Sequence, residues 1–170
     1  MPEASIAGFE EWVAARRGAL LRTAYLLTGD PHEAEDLVQA TLIRVVPRWA
    51  RIADAPEPYV RRVLVTTNAS RWRRRRWREV HTDTVPDRPA AAPETEAALA
   101  LRAALRQLSE RQRAVLVLRY YEDLGERETA DLLGIGVGTV KSHARDALKR
   151  LRVLLPGLEL EARVGPRAAE

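Results

Sequence analysis

The chain has 170 residues and no Cys, and 28 Lys+Arg outweigh 24 Asp+Glu for a net charge of +4. That length suits one medium domain or two small ones, and the missing Cys excludes disulfides, thiolate metal sites and a Cys nucleophile together. No run approaches the roughly eighteen apolar residues of a membrane-spanning helix, and the opening MPEASIAGFEEW does not read as a secretory leader, so a cytoplasmic protein is expected.

In chain order, Phe9, Trp12, Val13, Leu20, Ala24 and Leu27 recur at helical spacing and predict a first helix with one apolar stripe. It should stop at Thr28-Gly29, since Gly suits a C-terminal cap. Asp30, Pro31 and Glu33 then read as an N-cap, a first-position proline and the acid of a capping box. The second helix places Ala34, Leu37, Val38, Thr41, Leu42, Val45 and Trp49 on one side, with Glu33, Glu35, Asp36 and Gln39 on or beside the other. Pro47 should distort or end its last turn, and APEP (55–58) reads as a breaker. A third helix is predicted from about Tyr59 to about Glu79. Val60, Val63, Leu64 and Thr67 pack inward in that reading, while Arg71 to Arg78 leave the core.

From Glu79 to Thr95, EVHTDTVPDRPAAAPET holds three Pro and almost no large apolar residue, the composition of a linker. Its 17 residues would reach about 55 Å fully extended, about one and a half turns of B-DNA. Leu99, Leu101, Leu105 and Leu108 then form an amphipathic stretch. Ser109 with Gln112 makes a second capping box, opening a helix through Val115, Leu116, Leu118 and Tyr121. GERETADLLGIGVGTVKSHARDALKRLRVLL reads as two helices around a Gly-containing turn, the second from about Val137 to about Leu154. Ala130 is small at their crossing, Gly134 sits in the turn, and Leu133, Ile135, Val140 and Ala144 supply the core between them. With no alternating strand pattern and no internal repeat, the fold class is all-α in two small helical domains. The expected divisions are residues 1–79, a linker over 80–95, residues 96–155 and a short tail over 156–170.

The charge is unevenly placed along this framework. Residues 58–80 carry eight Arg and one Glu, a net of +7, and residues 101–155 have a net of +4. The first 57 residues and the segment 81–100 are each at −3. Two positive patches of this kind are the footprint of a polyanion binder. The helix-turn-helix offers Thr139, Lys141, Ser142, Arg145 and Lys149 as exposed phosphate ligands and base-edge readers; the competing reading is a helical hairpin with a solvated charged face. In SRWRRRRWRE (70–79) six Arg and two Trp alternate. Arg neutralises phosphate and Trp offers a face for an unstacked base, although Trp72 fits packing against neighbouring helices equally well. His32, His81 and His143 have no ligand spacing, no phosphate loop or nucleotide fingerprint is present, and Glu33, Glu35 and Asp36 suit capping and the helix dipole better than acid–base chemistry. No catalytic residue, metal or cofactor is expected.

GDPHEAEDLVQATLIRVVPRW, PYVRRVLVTTNASRWRRRRW, the Pro-rich linker and LSERQRAVLVLRYYEDLGERETADLLGIGVGTVKSHARDALKRL, in that order, resemble extracytoplasmic-function sigma factors of the sigma-70 superfamily, and more narrowly an actinobacterial branch. The resemblance implies a non-enzymatic transcription-initiation subunit. Region 2 (about 9–79) would dock on the β′ clamp helices of core RNA polymerase, and Glu35, Asp36, Leu37 and Gln39 match that docking motif. Its -10 reading and melting surface would draw on Arg61, Arg62, Asn68, Arg71, Trp72, Arg74 and Arg75. Region 4 (about 96–153), which such proteins set against the β flap, would read duplex -35 DNA through Val137, Thr139, Lys141, Ser142, Arg145 and Lys149. Three positions depart from the pattern. Thr66 stands where Asn is common, and Asn68 either faces the same groove or does not. Gly136 replaces a capping Ser, weakening the cap by a few tenths of a kcal/mol. Asp146 either accepts from a cytosine amino group or pairs with Arg150 at i,i+4.

The alternative is a free-standing helix-turn-helix regulator, which would bind duplex DNA without polymerase; stacking residues favour the sigma reading. An anti-sigma protein wedged between the domains is a further expected partner, and no membrane partner is expected.

Overall fold

The computed structural model describes residues 3–78 and 95–157, with side chains described over 8–74 and 95–157. The linker and tail expectations fall, apart from Thr95, Pro156 and Gly157, outside the described residues. The chain divides into two compact units, Met1–Pro93 and Glu94–Glu170. All regular structure among the described residues is helical, and no helix there is long and apolar enough to cross a membrane.

The first unit consists of α1 (Glu3–Thr28), α2 (Pro31–Val45), a 3-10 turn (Val46–Arg48), α3 (Trp49–Ile52) and α4 (Pro56–Arg78). Gly29 ends α1 at φ 76°, a conformation that costs glycine little. Asp30 then caps α2, its Oδ1 accepting from the Glu33 amide at 2.9 Å behind Pro31 at the first helical position. Pro47 lies within the 3-10 turn that ends α2. The break between α3 and α4 falls over residues 53–55, slightly earlier than expected, because Pro56 and Pro58 sit in the first turn of α4, where backbone N–H groups lack helical partners anyway.

Val45, Trp49 and Val60 form a core against which Phe9, Trp12, Leu20, Ile52, Tyr59 and Val63 pack. The Phe9 ring meets Trp49 edge-on at 5.2 Å, a geometry worth about 0.5–1.5 kcal/mol beyond the buried area. Glu57, in the first turn of α4, ties α1 to that helix: the Trp12 indole donates to its Oε1 at 3.3 Å and Arg16 pairs with it at 3.1 Å. Its own backbone amide, then the Trp12 indole and the Arg16 guanidinium, hold this carboxyl below the usual carboxylate range against the opposing effect of burial.

The second unit consists of α5 (Glu96–Arg106), α6 (Glu110–Leu116), α7 (Glu126–Leu133) and α8 (Val137–Leu154). Ser109 opens α6 with a reciprocal capping box, its Oγ accepting from Gln112 N and Gln112 Oε1 accepting from Ser109 N, both at 3.2 Å. The helical run reaches Tyr121 as predicted, but its last five residues are not α-helical. From Val117 to Tyr121 the backbone widens into a π turn, with Glu122 N donating to Val117 O at 2.9 Å, and Asp123 follows at φ 54°. The Arg119 guanidinium then seals the exit by donating to the Leu124 carbonyl.

Thr129 of α7 is fully buried, and its hydroxyl has no hydrogen-bond partner. Such an orphan costs about 1–3 kcal/mol. Thr129→Val, nearly the same shape without the hydroxyl, should therefore stabilise the second unit by about 1 kcal/mol and raise its melting midpoint by about 4–8 °C. Thermal melting followed at 222 nm checks this; a lower midpoint would mean that the hydroxyl is satisfied in solution.

Candidate nucleic-acid and partner interfaces

In the second unit, α7 ends on Gly134 in the left-handed region at φ 65°, and the Gly134 and Ile135 amides close back on Ala130 O. The turn reverses the chain into α8, and Val115, Ala130 and Val140 bury with Leu133, Ile135, Val137 and Ala144 around them. Ala130 is buried where α7 meets α8. Val140, Ala147 and Leu151 face inward, while Lys141, Arg145 and Lys149, spaced by four, stand exposed on one side. Thr139 and Ser142 are half-buried beside them, the Ser142 hydroxyl donating to Thr139 O at 3.0 Å.

Val137, at the start of α8, is half-buried and packs against the core between α7 and α8. Gly136 caps α8 with backbone alone, as its lack of a side chain dictates. Lys141 Nζ lies 3.5 Å from Glu126 in the first turn of α7. Asp146 pairs with its neighbour rather than with Arg150, its carboxylate lying 3.5 Å from Arg145 Nε.

In the first unit the candidate surface lies along α4. Arg62 and Arg74 are exposed, Arg61 is half-buried, and Arg71 reaches Asp36 of α2 at 3.9 Å. The Arg75 side chain, like that of Trp77, lies outside the described residues. Asn68 and Trp72 are corrections. Val60, Leu64, Asn68 and Trp72, four residues apart, form the inward stripe of the helix, leaving Asn68 1% and Trp72 8% exposed. Trp72 packs rather than presenting a stacking face, and the Asn68 side-chain oxygen is buried without a partner. Thr66 is half-exposed, its hydroxyl donating back to Arg62 O at 2.7 Å.

On α2, Glu35, Asp36 and Gln39 are exposed as expected. Leu37 is 0% exposed and sits in the core, so it cannot be the apolar anchor. The exposed apolar side chain on this strip is Ile43, 66% exposed, one turn beyond Gln39 and two beyond Glu35. The signal was present in the periodicity: Ile43 lies half a turn from the Ala34–Val38–Thr41–Val45 face that is buried. Among the described residues no group of three or more His, Asp or Glu comes together as a metal-binding cluster.

Known proteins share this arrangement. The family description "Sigma-70 region 2" matches residues 12–78 and "Sigma-70, region 4" matches residues 98–151. An RNA polymerase sigma-E factor of Streptomyces avermitilis is 41% identical over 169 residues, spanning 96% of this chain and 93% of that protein. The sigma-E factor of Streptomyces coelicolor is 42% identical, with 91% and 90% covered. The ECF RNA polymerase sigma factor SigL of Mycobacterium tuberculosis is 38% identical over 155 residues, with 82% and 84% covered. Among solved structures, the sigma factor RpoE of Bartonella quintana, crystallised with the anti-sigma factor NepR, is similar at a TM-score of 0.67 and 26% identity, over 88% of this chain and 97% of that one. With a region 2 match on the first helical unit, a region 4 match on the second, and actinobacterial relatives along nearly its whole length, the chain belongs to the extracytoplasmic-function sigma factors of the sigma-70 superfamily.

Proposed function

We propose that this chain binds core RNA polymerase and directs promoter-specific transcription initiation, its first unit engaging the melted -10 element and its second the -35 duplex. The observation that carries this reading is the pairing, in one chain, of a region 2 unit and a region 4 unit in family order. The chain makes and breaks no bonds itself in this reading; the chemistry belongs to the polymerase, and the work is done in the cytoplasm.

Glu35, Asp36 and Gln39 form the polar part of the surface offered to the β′ clamp helices, with Ile43 as its apolar centre. Carboxylates against cationic residues form charge-assisted bonds, and an exposed isoleucine gains by being covered. Arg61, Arg62, Arg71, Arg74 and Arg75 line the -10 strand, with the cost of unstacking repaid by phosphate neutralisation. Thr139, Lys141, Ser142, Arg145 and Lys149 enter the -35 major groove. The second unit faces the β flap, and an anti-sigma protein is a further partner of the same surfaces.

Promoter melting tests the reading. Genomic fragments are treated with permanganate, which modifies unpaired thymines, after incubation with the protein, with core polymerase, or with both. Reactive -10 tracts should appear only with both. Protection of duplex sites by the protein alone, with no melting when polymerase is added, would instead indicate a free-standing regulator.

A further inference from the structure

Asp36 and Arg71 stand on the two surfaces assigned to polymerase and promoter, and they hold each other. Arg71 Nη2 lies 3.9 Å from Asp36 Oδ2, with the aspartate side chain 70% exposed and the arginine 28%. The pair spans the packed α2–α4 contact, where Arg44 Nη1 also donates to Thr67 Oγ1 at 3.0 Å and the buried Trp72 anchors the backbone beside Arg71. With both helices fixed in this way, side-chain rotation alone separates the pair. An arginine turned toward a carboxylate is partly neutralised and aims its fork away from phosphate, and the carboxylate is equally less available to another cation.

Resting on the docking and -10 assignments above, we propose that the Asp36–Arg71 pair couples polymerase docking to promoter binding. A cationic residue of the polymerase draws Asp36 away and leaves Arg71 to the promoter strand; a promoter phosphate that draws on Arg71 likewise frees Asp36 for the polymerase. The two effects are equal by linkage. An exposed ion pair limits their size to a factor of about two to five in affinity.

The test is the affinity of the full chain for core polymerase, measured by fluorescence titration without DNA. Removing the competitor for Asp36 should help docking, so Arg71→Gln should tighten binding about two- to five-fold. Arg73→Gln removes the same charge from an exposed neighbour that donates to Ser70 instead, and it should have no effect. In an Asp36→Asn background the gain from Arg71→Gln should vanish. An Arg71→Gln variant that docks no better than wild type, an equal gain from Arg73→Gln, or a gain that survives Asp36→Asn would each overturn the coupling. Measurable wild-type docking alongside any of these would leave the docking assignment standing, whereas a wild-type chain that does not bind core would overturn both.

Discussion

Arg113→Ala is expected to destabilise the second unit strongly while leaving the first unchanged. Arg113 is buried on α6, and its Nη1 donates to the Leu105 carbonyl in the last turn of α5 at 3.4 Å. A buried guanidinium persists only where its donors are used, and here it closes the end of one helix from the start of the next, one residue after the Ser109–Gln112 box. Truncation removes a charge-assisted bond and leaves a cavity where the stem was, a loss of about 2–4 kcal/mol. That is a large share of what a unit of this size can hold. All four Trp lie in the first unit, at positions 12, 49, 72 and 77, so tryptophan fluorescence follows that unit alone while ellipticity at 222 nm follows both. The variant should lose part of its ellipticity at a lower temperature with the fluorescence transition unmoved. Coincident transitions at the wild-type temperature would remove Arg113 from this role.

Arg145→Ala is expected to weaken -35 recognition by about 1–3 kcal/mol, a factor of about ten to a hundred, and to relax preference mainly at one base pair. Arg145 is exposed in the middle of α8, where its guanidinium lies 3.5 Å from the carboxylate of the neighbouring Asp146. A guanidinium so placed can present two donors to a guanine edge. Lys141 differs: it carries a single charge held near Glu126 at the start of α7. Lys141→Ala should weaken all -35 sequences alike and lower the salt slope by about one phosphate contact. Binding of holoenzyme to promoters substituted at each -35 position, at several salt concentrations, separates the two. A uniform loss for Arg145→Ala, or an unchanged salt slope for Lys141→Ala, would reverse the assignments.

Local rules made much of this legible beforehand. Asp30, Ser109 with Gln112, and Gly134 each obey a short-range geometric requirement, and each ends or begins a helix where expected. Failures came where one residue type fits two local answers. APEP satisfies a break and a helix start equally well, because prolines in a first turn lose no helical bond. Leu37 matches a docking motif, but its periodicity places it with Ala34 and Thr41 in the core, and the same phase places Ile43 on the exposed side. Trp72 and Asn68 follow Val60 and Leu64 at four-residue intervals, so the inward stripe extends deeper into the Arg-rich segment than composition suggested. The Asp36–Arg71 and Lys141–Glu126 pairs join residues distant in sequence, and no local pattern encodes them.

The two basic segments map onto separate helical surfaces. The +7 segment supplies exposed Arg62 and Arg74 on α4, and the +4 segment supplies the Lys141–Arg145–Lys149 side of α8. Each basic surface is rooted in its own helical core.

Run-off transcription from genomic fragments, using core polymerase that carries no sigma factor, with and without this protein, reads promoter-specific initiation itself. Discrete transcripts should appear only when the protein is added and should start downstream of shared -35 and -10 sequences. Unchanged, non-specific transcription across all fragments would contradict the proposed function.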